Sequence, residues 1–163
     1  MSKRLLLIAL LAMIPATAHA QGALLVVTKQ SHALAIIDGA TLHVLARVPI
    51  GEDPHEVIVG PDGKTAYVSN YGEGTLHTLA VVDLLGQKPL PPIDLTPLRG
   101  PHGLTLHNGT LWFTAEGSKA LGTLNPATGR VETVLGTGQN KTHLVWVQET
   151  ARRSWPPMQA QPP

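Results

Sequence analysis

One stretch of this chain has little freedom in how it folds: Pro54 to Asn70, reading PHEVIVGPDGKTAYVSN. The apolar run Val57 to Val59 leads into Pro61-Asp62-Gly63, where proline presets φ and glycine supplies a positive one, so the chain turns. Beyond the turn, Thr65 to Ser69 carries the branched and aromatic residues that suit a pleated surface, and two such runs joined by a tight turn make a hairpin. The hairpin then recurs. Pro101 to Leu106 repeats Pro54 to Val59, Asn108-Gly109 replaces the Asp-Gly turn, Leu111 to Thr114 takes the place of Tyr67 to Asn70, and Thr142-His143-Leu144-Val145 opens a third copy. His55, His102 and His143 fall 47 and 41 residues apart. In an all-β pattern a period of roughly 40 to 50 residues indicates propeller blades.

The expected fold class is therefore all-β, an incomplete β-propeller of four-stranded antiparallel blades. The first blade has strands at Ala23 to Thr28, Ala33 to Asp38 and Leu42 to Val48 and lacks its opening strand. The second has His55 to Val59, Thr65 to Asn70, Thr75 to Asp83 and, after the proline-rich Pro89 to Pro92, Pro92 to Leu95. The third has Gly103 to His107, Thr110 to Thr114, Lys119 to Leu124 and Arg130 to Leu135. Asp38, Asp83 and Asn125 end the third strand of each blade, where an Asx side chain caps the following turn.

A leader precedes the array. Lys3-Arg4 supplies a positive start, Leu5 to Ile14 an apolar stretch, Pro15 a break and Ala18-His19-Ala20 a small-x-small site, so residues 1–20 read as a signal peptide cleaved after Ala20. The apolar stretch is shorter than the roughly 20 residues that span a bilayer. The expectation is a periplasmic or secreted protein with no membrane span after cleavage, a partial propeller over 21–146, and a tail over 147–163. In that tail Pro156, Pro157, Pro162 and Pro163 lack the N–H of a ladder, so disorder is expected.

Composition narrows the functions. A net charge of +1 with scattered basic residues gives no electrostatic footprint for nucleic acid. With no cysteine, a disulfide framework, a thiolate metal site and a cysteine nucleophile are all excluded.

With Tyr67-Val68-Ser69-Asn70, the Gly60-Pro61-Asp62-Gly63-Lys64 turn and the repeated Pro-His, the chain resembles the YVTN-repeat β-propellers, a YncE-like family of mostly exported or surface proteins. The likeness runs from about Ala23 to Val145. It implies a closed ring of about seven blades, whose missing strand is often donated from the opposite end of the chain. Here the pattern breaks after Thr142, giving Val147-Gln148-Glu149-Thr150 where a Pro-Asp-Gly-Lys turn belongs. A shortened gene or a shifted frame accounts for that break. The expectation is a truncated fragment of roughly three blades whose open blade edges invite self-association.

His55, His102 and His143 hold the same repeat position at the start of the innermost strand, which places them at one mouth of the central channel. Glu56 and Glu116 are the acids expected nearest to them. Imidazoles from neighbouring blades suit metal or anion ligands; the plainer reading is that each histidine bonds a neighbouring carbonyl and shapes its blade. Tyr67, Trp112 and Trp146 are assigned to core packing on strands. No Gly-x-Ser-x-Gly, His-Glu-x-x-His, phosphate loop or haem motif is present, so no catalytic residue and no cofactor is expected. The leading functional expectation is an exported binding or scaffold module for a protein or small-molecule ligand. The competing one is a metal-dependent lyase or lactonase, since similar propellers of the streptogramin-lyase and gluconolactonase kind use channel-mouth histidines or acids around a divalent ion.

Overall fold

A computed structural model describes residues 22–148. The expected leader and all of the expected tail beyond Gln148 lie outside them. Among the described residues eleven strands form three antiparallel sheets. Blade 1 contains β1 (Ala23–Thr28), β2 (Ala33–Asp38) and β3 (Val44–Pro49) in that order. Blade 2 contains β4 (Pro54–Val59), β5 (Thr65–Asn70), β6 (Thr78–Asp83) and β7 (Lys88–Asp94). Blade 3 contains β8 (Pro101–His107), β9 (Thr110–Ala115), β10 (Ala120–Asn125) and β11 (Arg130–Gly136). The array is a partial propeller, and β1 packs beside β4, as β5 does beside β8. Among the described residues blade 1 has no innermost strand, as expected from the sequence.

The turns follow the residues that specify them. Asp62 Oδ1 accepts the N–H groups of Lys64 (2.9 Å) and Thr65 (3.0 Å), closing the β4–β5 hairpin. Asp38 Oδ1 takes those of Ala40 and Thr41, Asp83 Oδ1 those of Leu85 and Gly86, and Asn125 Oδ1 that of Ala127. These three Asx residues cap turns, as their repeat position implied.

The structure corrects several boundaries. The last strand of blade 2 runs Lys88–Asp94 and includes the prolines, which the sequence reading placed in a connection before a strand at Pro92 to Leu95. β7 is an edge strand, so a missing N–H costs it no ladder bond on its open side and also blunts that edge. The strand expected from Thr75 begins at Thr78, because Gly72–Gly74 makes a single turn of 3-10 helix first. The strand expected from Leu42 begins at Val44, since Leu42 adopts a left-handed φ of 59°. Trp146 lies on no strand and is 84% exposed, so core packing does not explain it. The repeat also aligns one residue differently: β9 matches β5 with Thr114 on Ser69 and Ala115 on Asn70.

The core is divided between the two joints. Leu34, Ile36 and Val48 of blade 1 pack against Ala66, Val68 and Val82 of blade 2. Tyr67, Leu79 and Val81 on the other face of blade 2 pack against Leu111, Phe113 and Leu124 of blade 3. Alternation along each strand thus sends one set of side chains forward and the other backward. Phe113 is fully buried over Gly122, where an added Cβ would meet the ring at 2.3 Å, so only glycine leaves the ring its place.

Candidate functional site

A repeated hydroxyl stitches the blades together next to the channel. Ser69 Oγ on β5 accepts the Glu56 N–H (3.0 Å) and donates to the carbonyl of His102 (2.7 Å). Thr114 Oγ1 on β9 accepts the Gly103 N–H (2.8 Å) and donates to the carbonyl of His143 (2.8 Å). Each hydroxyl joins the inner strand of its own blade to the inner segment of the next. The Pro-His signature thus has a structural role, carried by the histidine main chain. Asn70 adds a second tie, donating from Nδ2 to the Ile50 carbonyl of blade 1 (3.0 Å).

With their main chains held in this way, the three histidine side chains converge. The His55 and His102 ring centroids lie 4.4 Å apart and those of His102 and His143 3.8 Å, so the imidazoles form a tilted stack at one mouth. Tyr71 packs edge-on against His55 (4.8 Å) and His102 (5.1 Å). Glu116 closes the far side, accepting the Tyr71 hydroxyl on Oε1 (2.8 Å) and His143 Nδ1 on Oε2 (3.1 Å). A carboxylate only accepts, so this contact puts the proton of His143 on Nδ1. On the near side Lys29 Nζ contacts His55 Nε2 and bonds Asp53 Oδ1 (2.7 Å). Lys29, Asp53, His55, Tyr71 and Glu73 line an open cavity of about 530 Å3 beside the stack.

Of the five residues expected here, His55, His102, His143 and Glu116 come together. Glu56 enters the network through its backbone N–H, and Asp53 is the acid whose carboxylate meets Lys29 beside His55. Lys29, Tyr71 and Asp53 were missed. The signal for two of them was available: Lys29, Tyr71 and Glu116 each directly follow the second strand position of their blade, so the repeat that brings the histidines to the mouth brings these residues as well.

The electrostatics follow from burial and neighbours. Burial, then the nearby imidazoles of His143 and His55, lowers the pKa of His102 to about 4. His55 is lowered by burial and by the Lys29 ammonium. Tyr71 is pushed up to about 12, first by the hydrogen bond it donates to Glu116 and then by burial. Burial pushes Glu116 up, but the hydrogen bonds from His143 and Tyr71 outweigh it and hold the carboxyl below its usual value. Asp53 follows the same pattern, with Lys29 and the Glu73 N–H overcoming burial. At neutral pH the mouth therefore presents neutral His55 and His102 rings between an ammonium–carboxylate pair and a carboxylate. His102 is 3% exposed, and its Nδ1 is buried without a hydrogen-bond partner.

No protein-family model matches the sequence, and no curated protein matches it. Solved structures do match. Hydrazine synthase from Kuenenia stuttgartiensis is similar at 25% identity and a TM-score of 0.62, over 69% of this chain and 33% of that one. Virginiamycin B lyase from Staphylococcus aureus is similar at 15% identity and a TM-score of 0.62, over 76% and 41%. Dihydro-heme d1 dehydrogenase NirN is similar at 18% identity and a TM-score of 0.56, over 70% and 25%. These likenesses place the chain among the propeller folds, and it spans well under half the length of each of the three.

Proposed function

We propose that the chain is an exported β-propeller binding module of the YVTN, YncE-like kind, which recognises a small polar ligand at the histidine mouth. One observation carries the reading: Lys29, Asp53, His55, Tyr71 and Glu73 surround an open cavity of about 530 Å3 beside the stack. A ligand in that cavity meets the Lys29 ammonium with its anionic part and the Asp53 and Glu73 carboxylates with its cationic or hydroxyl part. Export is supported by the sequence of residues 1–20, and the YVTN assignment by Tyr67 to Asn70 and the Gly60 to Lys64 turn.

The binding reading is tested by a fragment panel of small polar compounds screened by saturation-transfer NMR. Binders are expected that disappear in His55→Phe, while binders that persist in that variant defeat the proposal. For export, intact mass of the periplasmic protein is expected to begin at Gln21. A soluble cytoplasmic species retaining the leader removes that part.

A metal-dependent lyase or lactonase is the second reading, favoured by the fold likeness to virginiamycin B lyase. The side chains as they stand do not fit a divalent ion. The Lys29 ammonium sits on the His55 nitrogen that would ligate it, and His143 Nδ1 is committed to Glu116. Among the described residues no group of three or more His, Asp or Glu side chains is arranged to hold one. Calorimetric titration of zinc is expected to show weak binding at best. Micromolar binding that vanishes in a His55→Ala, His102→Ala variant would revive the enzyme reading.

A further inference from the structure

The two ends of the array are unmatched, and they are of opposite kind. At each internal joint the forward face of one blade meets the backward face of the next: Leu34 and Ile36 meet Ala66 and Val68, and Leu79 and Val81 meet Leu111 and Phe113. By the same alternation, the backward face of blade 1 presents Leu24, Val26 and Val44, which are 50%, 42% and 47% exposed. The forward face of blade 3 presents Trp112, Leu121 and Leu135, the last 53% exposed. Each end therefore offers the half of a joint that the other end lacks.

The inner strand shows the same complementarity. β5 pairs with β4 and β9 with β8, but among the described residues β1 has no strand on its channel side. Residues 142–148, THLVWVQ, repeat the inner-strand pattern of Pro54 to Val59, and the main chain of His143 to Val145 passes directly over Gly103 of blade 3. The His143 carbonyl accepts from Thr114 and Gly103, and a Cβ on Gly103 would strike that carbonyl at 2.7 Å. Yet this segment forms no strand, because the sheet it would open is absent from the described residues. Within one chain, blade 2 stands between the donor segment and β1.

We propose that two copies of this chain close on each other as a two-fold, six-bladed ring. The forward face of blade 3 in each copy packs on the backward face of blade 1 in the other, and residues 142–148 add to the partner copy's β1 as its missing inner strand. The β4–β5 register, Val57 with Val68, Ile58 with Tyr67 and Val59 with Ala66, carries over to Val145 with Val26, Trp146 with Leu25 and Val147 with Leu24. Head-to-tail contacts of this kind form a closed ring when the rotation closes and a filament when it does not. Six blades lie inside the roughly 4 to 8 that propellers use. The ring covers the exposed Trp146, removes the free edge of β1 and sets His55, His102 and His143 twice around one channel mouth.

Native mass spectrometry of the purified chain is expected to give twice the protomer mass at micromolar concentration. A Leu24→Lys, Val26→Lys variant is expected to give the protomer mass with an unchanged far-UV circular dichroism spectrum. Because the chain has no cysteine, Val26→Cys and Val145→Cys can be introduced separately and combined. Oxidation is expected to cross-link the mixture of the two variants and neither variant alone, since the pair meets only across the joint within disulfide reach. A wild-type chain that stays at protomer mass at tens of micromolar overturns the proposal. So does a ladder of larger species, or cross-linking of either single variant as readily as of the mixture.

Discussion

β1 and β5 occupy the same repeat position and have the same length, yet their environments differ. From Ala66 to Asn70 every residue of β5 is buried, whereas no residue of β1 is. β5 has β4 along one edge, β6 along the other and a blade on each face; among the described residues β1 has β2 alone beside it and blade 2 on one face. The two strands also differ at one polar position. Ser69 bridges its own inner strand to the next blade, but Val27, its counterpart in β1, has no hydroxyl and no inner strand to bond. Strand formation in this array is thus a local matter, while burial is supplied by neighbouring blades. The apolar run Leu24-Leu25-Val26-Val27 is more hydrophobic than its buried counterpart in β5, as expected of a strand that something is meant to cover.

Four measurements sharpen or break that comparison. The largest effect is expected at the enclosed joint between blades 2 and 3: Phe113→Ala should cost about 3 to 5 kcal/mol in urea unfolding with an unchanged slope. Val26→Ala, at the matching position of β1, should stay within about 0.5 kcal/mol in solution dilute enough to keep copies apart. Comparable losses from the two would mean that blade 1 is covered in a way its exposure does not indicate.

Next comes pH. His102 titrates near 4 in the folded chain and near 6.5 when exposed. As pH falls, the unfolded state takes the proton first, so stability should decline between about 6.5 and about 4, by up to about 3 kcal/mol, and level off below. No such decline from this group is expected above pH 7. His102→Leu should flatten the profile, and a wild-type profile that is already flat over this window would contradict the buried, neutral imidazole.

Ser69→Ala should cost about 1 to 3 kcal/mol, because it strands the Glu56 N–H and the His102 carbonyl together. The smallest effect is expected for Val27→Thr, which gives blade 1 the hydroxyl that the other blades use. With no inner strand to satisfy its acceptor side, it should gain at most about 1 kcal/mol in thermal unfolding. A loss equal to that of Ser69→Ala would show that the two positions are not equivalent.

Much of the fold was legible in the chain. The hairpin repeat set the number of blades, the Asx residues marked the turns, and the spacing of His55, His102 and His143 brought them to one mouth. Where the reading failed, the deciding contacts were long-range. Prolines 89, 91 and 92 suggest a connection by local propensity, and only the edge position of β7 makes them acceptable in a strand. The one-residue shift that puts Thr114 in the place of Ser69 became visible only through the carbonyls that each hydroxyl reaches in the next blade.

The division between local and tertiary information is sharpest at the mouth. The sequence by itself determined that the array is all-β, where its blades begin, and which imidazoles share a level of the channel, because period and turn chemistry are local properties. The tertiary structure alone decided that Asp53 joins those imidazoles through its pairing with Lys29, that Glu116 rather than the Glu56 carboxylate bonds them, and that His102 is the ring left neutral and unpartnered. Those outcomes depend on which side chains from different blades come within a few ångströms of one another, and on how much water their packing removes, neither of which a repeat period encodes.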